Sequence, residues 1–207
     1  MSIASNKPLL SGYGQPTWDV ARLFPAQGCW TEEDYLELKP NRWVEFSHGF
    51  VEFLATPTLS HQLVALYLYR ALETFVSTRE LGTALAGPYR VRLWEGKYRE
   101  PDVLFVAGKH ASRLTENYCK GADLVMEIVS DGEENHRLDR ETKRDEYAKA
   151  RIPEYWIVDP EQGRITVLTL DGRSYRVLGE FSRGDQAASR LLPGFCVDVT
   201  SAITAKR

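Results

Sequence analysis

Residues 123–130 read DLVMEIVS, a run whose interior, between Asp123 and Ser130, is apolar except for one carboxylate, Glu127, among Val125, Met126, Ile128 and Val129. A strand without a polar face is covered on both sides, so this run is expected at the centre of a sheet with elements packed above and below it. A carboxylate in such a strand is costly unless it is hydrogen-bonded, paired or bound to a metal.

Upstream, YREPDVLFVAG (residues 98–108) reads as a loop, a proline and a second apolar strand whose first residue is Asp102. YRVRLW (89–94) alternates apolar and basic residues, as a half-buried strand does, and EGKYRE (95–100) reads as the turn after it. Downstream, the polar loop DGEEN (131–135) precedes a charged helix from about His136 to Ala150. EYWIVDP (154–160) is a further strand. RITVLTL, a turn at Asp171-Gly172 and RSYRVL make a closing hairpin, and residues 179–199 add a loop and a last short strand.

The N-terminal part begins with an arm, residues 1–29, that has no period. TEEDYLEL follows as a short helix, capped by Thr31 with Asp34 at the capping-box position and ended by Pro40. WVEFSHGFVEFL reads as a hairpin, with runs 43–47 and 50–54 about His48-Gly49. After the loop ATPTLS, Ser60 is placed to cap a long helix in which Val64, Leu68, Ala71, Leu72 and Phe75 share one face, ending near Val76. The order of elements predicts an α/β or α+β domain over residues 30–200: a mixed β-sheet flanked by helices, with extra β-hairpins and a tail at 201–207.

The bulk properties narrow the classes of function. The chain has 207 residues, 43% hydrophobic and 27% charged, enough for one domain with a sizeable core. A net charge of -3 argues against a uniformly basic nucleic-acid coat but leaves room for a local basic patch. Cys29, Cys119 and Cys196 are far apart, without a CxxC pair, so free thiols in a reducing cytoplasm are expected rather than a zinc site. No export signal is expected, and no apolar run reaches the roughly 18 residues of a membrane span. No G-x-S-x-G elbow and no glycine-rich phosphate loop is present.

Asp102 could simply cap local amides at a strand start. If its strand pairs with that of Glu127, the two carboxylates instead meet at one sheet edge. There they would repel, and a hard cation such as Mg²⁺ would remove the repulsion. Asp139, Lys143 and Tyr147 are spaced i, i+4, i+8 on the following helix and share a face. A lysine there could orient or deprotonate a metal-bound water, or offset charge in a transition state. Two basic groups flank the pair: Arg90, Arg92, Lys97 and Arg99 before Asp102, and Arg137, Arg140, Lys143, Arg144, Lys149 and Arg151 after Glu127. Placed beside a carboxylate centre they suit a phosphodiester backbone; as alternating charges they also suit a solvated face.

The residues PD at 101–102, then EIVS at 127–130, then D-x-x-x-K-x-x-x-Y at 139–147, then IPEYWIVDP at 152–160, together resemble the Uma-type restriction endonucleases of the PD-(D/E)XK superfamily. The resemblance spans about residues 30–200. It implies a restriction-endonuclease-like fold and hydrolysis of DNA phosphodiesters with Mg²⁺ or Mn²⁺, held by Asp102, Glu127 and the main-chain carbonyl of Ile128. It also implies Lys143 as the catalytic lysine, since Val129 stands where most of the superfamily has one. VEFSHGFVEF resembles the family's early Glu-x-x-x-Gly turn and brings Glu45 into the site. TPTLSHQ resembles the loop that carries a histidine, here His61, onto the long helix as a general acid, a phosphate contact or a helix-start residue. Asp139 and Tyr147 are implied as supporting groups. From the two basic groups, Arg90, Arg92, Lys97, Arg99, Arg140 and Arg144 are the expected DNA contacts, and the resemblance implies a homodimer as the means of cutting both strands. Two positions depart from the family pattern: Ser130-Asp131-Gly132 replaces Ser-Pro-Ser, and His48 replaces an acidic turn residue. The alternative is a non-catalytic nucleic-acid- or protein-binding module on the same fold. A weaker one is a hydrolase of another phosphate ester.

Overall fold

The computed structural model describes residues 24–39, 42–130 and 137–205. Most of the expected N-terminal arm, Pro40, the loop 131–135 and His136 lie outside them.

The run around Glu127 forms β8 (Leu124–Ile128), all of it buried. On one side it pairs antiparallel with β6 (Val103–Ala107), with Val103 opposite Met126 and Leu104 opposite Val125. On the other it pairs parallel with β9 (Glu154–Asp159). Outward from β9 lie β10 (Arg164–Asp171) and β11 (Ser174–Ser182), and β3 (Gly82–Ala86) closes the other edge, giving the order β11-β10-β9-β8-β6-β3. One parallel pair among antiparallel neighbours makes this the mixed sheet expected.

Both faces of β8 are covered. Leu124, Met126 and Ile128 join Trp156 and Val158 against Val64, Leu68, Leu72 and Val76 of α2 (Leu59–Ser77). Val125 and Val129 pack on the other face with Tyr147 and Ala148 of α3 (Lys143–Lys149). Alternation along a strand therefore turns Glu127 toward α3.

The remaining strands form a second sheet, ordered β2-β1-β5-β4-β7. Its members are β1 (Val44–Ser47), β2 (Phe50–Phe53), β4 (Arg90–Trp94), β5 (Lys97–Arg99) and β7 (Tyr118–Cys119). The β1–β2 turn has positive φ at both His48 and Gly49, the geometry that matches strand twist in a two-residue hairpin. A Cβ on Gly49 would lie 2.7 Å from the Gly28 carbonyl oxygen. Short α1 (Glu32–Glu37), with the expected Thr31–Asp34 capping box, covers this sheet through Tyr35.

Several boundaries differ from expectation. Thr58, not Ser60, caps α2, its hydroxyl accepting from the His61 amide at 3.2 Å. The segment read as a turn, 95–100, contains β5, whose charged residues are buried because carboxylates meet them. The expected helix over 136–150 is a π-helical turn, Leu138–Thr142, running into α3. Residues 179–199 hold the end of β11, the small hairpin of β12 (Gln186–Ala188) and β13 (Cys196–Asp198), and the start of α4 (Val199–Ile203), so the tail read at 201 begins inside a helix.

The C-terminal segment is tied to the sheet by one buried carboxylate. Glu154 accepts from the Trp156 indole at 2.8 Å, the Ser189 hydroxyl at 2.6 Å and the Arg190 and Leu191 amides at 2.8 Å each. Glu154→Ala would orphan these donors and is expected to lower stability by about 3 kcal/mol, read as an earlier urea midpoint at unchanged slope.

Candidate active site

Continuing the β6–β8 register one step sets Asp102 level with Glu127. Asp102 Oδ2 accepts from the Ile128 amide at 2.8 Å, which locks the carboxylate at the mouth of the sheet. Glu127, 3% exposed, is held by two residues of the following helix: Lys143 Nζ lies 3.0 Å from its Oε2, and the Tyr147 hydroxyl donates to its Oε1. Lys143 also lies 2.9 Å from Asp139 Oδ1. The π-helical turn brings Asp139 and Lys143 together, and insertions of this kind recur at functional sites. The Tyr155 hydroxyl donates to the Asp139 carbonyl at 2.9 Å and fixes that turn to β9.

His61, in the first turn of α2, approaches from the opposite side. Its Nε2 is 3.1 Å from the Ile128 carbonyl oxygen and 3.4 Å from Asp102 Oδ2. The structure thus brings together Asp102, Glu127, Ile128, His61, Asp139 and Lys143 around one cleft of about 80 Å³, with Trp43, Leu54, Glu100 and Ser130 among its other walls.

Charge decides the protonation states. Burial pushes the Glu127 carboxyl up to about 8, against the Lys143 charge that lowers it, with Asp139 and Asp102 adding to the rise. Burial works to lower the Lys143 ammonium, but Glu127, Asp139 and Glu45 hold it well above the ordinary lysine value. These carboxylates therefore favour the charged form of Lys143. Burial also opposes charge on His61, and the Asp102 carboxylate and the Ile128 carbonyl outweigh it, raising the imidazole.

Glu45 stands one layer back. It accepts from the Arg99 guanidinium and, at 3.1 Å, from the Glu100 amide. Burial raises it, and Arg99 and Lys143 bring it below the ordinary glutamate value. Arg99 Nε also donates to Glu146 of α3 at 2.7 Å, and Lys97 Nζ meets the other oxygen of Glu146 at 2.7 Å. This network was not legible in the chain: Glu45 and Arg99 are 54 positions apart and neither lies in a recognisable motif with the other.

The same network bears on the residues expected to touch DNA. Lys97 and Arg99 are buried and bound to carboxylates, so neither is presented to a duplex. Arg90 donates to the carbonyls of Leu36 and Leu38 and faces Glu100, and Arg92 pairs with Glu32. Of the first basic group, Lys97 and Arg99 are thus turned into the fold, while Arg90 and Arg92 are held by acceptors nearer the surface. In the second group, Arg140 pairs with Asp159 at 2.6 Å and Arg144 donates to the Tyr175 carbonyl, while Arg137 is exposed beside the cleft.

A hard cation suits the donor set. Five buried carboxylates, Glu45, Glu100, Asp102, Glu127 and Asp139, gather here, and burial also pushes Glu100 up to about 7. Among the described residues no three side chains of the metal-binding types converge on one point. A cation would thus rest on Asp102, Glu127 and the Ile128 carbonyl, with water completing its shell, as Mg²⁺ permits.

The mixed sheet flanked by helices, with Asp102 and Glu127 level with each other and Lys143 reaching Glu127 from α3, is similar to the fold of a putative nuclease. The family model described as Uma2, "Putative restriction endonuclease", matches residues 32–200, and the chain belongs to this family. A putative nuclease of DUF820 from Anabaena variabilis ATCC 29413 has a similar crystal structure, with a TM-score of 0.67 at 13% identity, over 84% of this chain and 99% of that one. A comparison with curated proteins finds no match.

Two outcomes follow from the geometry. Arg99→Leu leaves Glu45 buried and unpaired and is expected to cost about 3–5 kcal/mol in a urea titration, a loss of stability that a DNA-contacting arginine would not give. The folded chain keeps the Glu127 proton up to about 8, whereas an unfolded chain releases it near the ordinary 4.5. Stability in EDTA should therefore fall as pH rises from about 4.5 to about 8 and level off above that, and Glu127→Gln should remove that component of the fall. A melting series from pH 5 to about 9 reads both.

Proposed function

We propose that this chain is a metal-dependent endonuclease that hydrolyses DNA phosphodiester bonds. The observation that carries the reading is the pairing of buried Asp102 and Glu127 at one cleft with an ammonium held by two carboxylates. Family membership supports a nuclease, and the finer statement, Mg²⁺ or Mn²⁺ with DNA, is our own.

Asp102, Glu127 and the Ile128 carbonyl would hold the cation. Bound there, it would polarise the scissile phosphate and lower the pKa of a bound water. Lys143 orients the attacking water and offsets charge developing on the phosphate oxygens. Asp139 and Tyr147 hold Lys143 and Glu127 in place. Glu45, through Arg99, positions β5 against α3 and adds negative potential that keeps Lys143 protonated; its geometry supports positioning more than ligation of a second metal. His61 can donate from Nε2 to an oxygen at the cleft. A proton on that nitrogen and a cation compete for the same two acceptors, Asp102 and Ile128. Cutting both strands would call for two copies of the chain.

One observation favours the non-catalytic module: both Glu127 oxygens already have partners, Lys143 and Tyr147. The two readings part on a plasmid-nicking assay with Mg²⁺ and Mn²⁺, wild type beside Glu127→Gln and Asp102→Asn, with circular dichroism confirming folded protein. The endonuclease reading expects cleavage by wild type and a loss of at least about 10²-fold in each variant. It also expects titrated Mn²⁺ to raise the melting temperature of wild type and not of Asp102→Asn. Retained cleavage by Glu127→Gln would sink the assignment. Absence of both metal binding and cleavage in wild type would favour the module.

A further inference from the structure

The surfaces leading out of the cleft are unlike a phosphate track. One recess of about 240 Å³ shares Trp43, Pro57, His61 and Asp102 with the cleft and continues over Ala65 and Pro88. A second, about 290 Å³, shares Leu54, Ala55 and Leu138 with it and continues to Phe53, Glu52 and Arg137. Among the described residues, Arg137 is the one arginine or lysine lining either recess. Four of the basic residues near the site, Arg92, Arg99, Lys97 and Arg140, are each paired with a carboxylate, Glu32, Glu45, Glu146 and Asp159 respectively. A protein that grips a duplex mainly through its backbone neutralises many phosphates, and these walls lack the charge to do so.

They have aromatic surface instead. Phe53 closes β2 and is 56% exposed, although strand alternation puts it on the same face as buried Val51. Trp43 sits across the open end of the same hairpin, where its carbonyl accepts from the Leu54 amide at 3.0 Å. The hairpin end thus supplies one ring to each recess, Trp43 to the first and Phe53 to the second.

The geometry points to an unpaired nucleic-acid strand as the substrate, with the scissile phosphate in the cleft and the flanking bases stacked on Phe53 and Trp43. Base-to-ring stacking tolerates any sequence, because every base has a π-face, but it needs bases that are free of a partner strand. Stacked bases in a duplex are closed to such rings. Within the endonuclease reading, on which this inference rests, the preference for unpaired substrate comes from the hairpin and the chemistry from the carboxylates.

Fluorescence anisotropy with a labelled oligodeoxynucleotide of about 12 nucleotides, alone and as its duplex, tests this in Ca²⁺, and gels in Mn²⁺ follow cleavage of both. Expected are single-strand binding at least about tenfold tighter than duplex binding, and a shallow salt slope of roughly -0.7 to -1.4 for one or two phosphate contacts. Phe53→Ala should weaken single-strand binding about 5- to 100-fold, Phe53→Trp should restore it and Phe53→Leu should not. Phe53 is exposed, so these variants should fold as wild type. Equal or tighter binding of the duplex, or an unchanged Phe53→Ala, alongside cleavage that still requires Glu127, would overturn the inference and leave the endonuclease standing. If neither oligonucleotide is bound or cut, the endonuclease reading fails and this inference goes with it.

Discussion

The site depends on one buried ammonium. Lys143 can stay charged away from water only because Glu127 and Asp139 lie within 3.0 Å of it, and those carboxylates tolerate burial in part because it is there. The arrangement is lopsided even so. The carboxylates around the cleft outnumber the cations that face them, so burial leaves Glu127 and Glu100 reluctant to ionise. A hard cation would complete this charge set, and the same excess makes the site hold its lysine protonated.

Around that centre the fold uses ion pairs as fasteners. Glu146 of α3 takes both Lys97 and Arg99 of β5, and Arg99 passes the linkage on to Glu45 of β1. The second sheet is thereby joined to the helix that carries Lys143. Arginine is suited to this, since its planar fork can serve two carboxylates at once. The consequence reaches the surface: Lys97 and Arg99, which would otherwise add to a basic face, are turned inward, and Trp43, Phe53 and Arg137 line the recesses beside the cleft.

The sequence was most legible where a local pattern carries its own reason. The unbroken apolar run of β8 marked the central strand, and a carboxylate inside it marked Glu127. The capping box at Thr31 and Asp34, the His48-Gly49 turn and the apolar face of α2 were read in the same way. Reading failed where a contact distant in sequence reverses a local preference. Lys97-Tyr98-Arg99 looks like a solvated turn because its charges have no neighbour in sequence to neutralise them; Glu45, Glu32 and Glu146 arrive only by folding. Ser60 and Thr58 are both competent caps, and only the path of the loop selects Thr58.

The sequence by itself determined the sheet-and-helix composition, the central strand, the family motifs and the short list of carboxylates and lysine, because periodicity, capping and motif spacing are properties of neighbouring residues. Tertiary structure alone decided that Asp102 lies beside the Ile128 amide, that Lys143 lies between Glu127 and Asp139, and that Arg99 serves Glu45. Each of these depends on burial and on charges brought together across tens of residues. Desolvation and Coulomb energy act through space, and the order of residues in the chain does not record them.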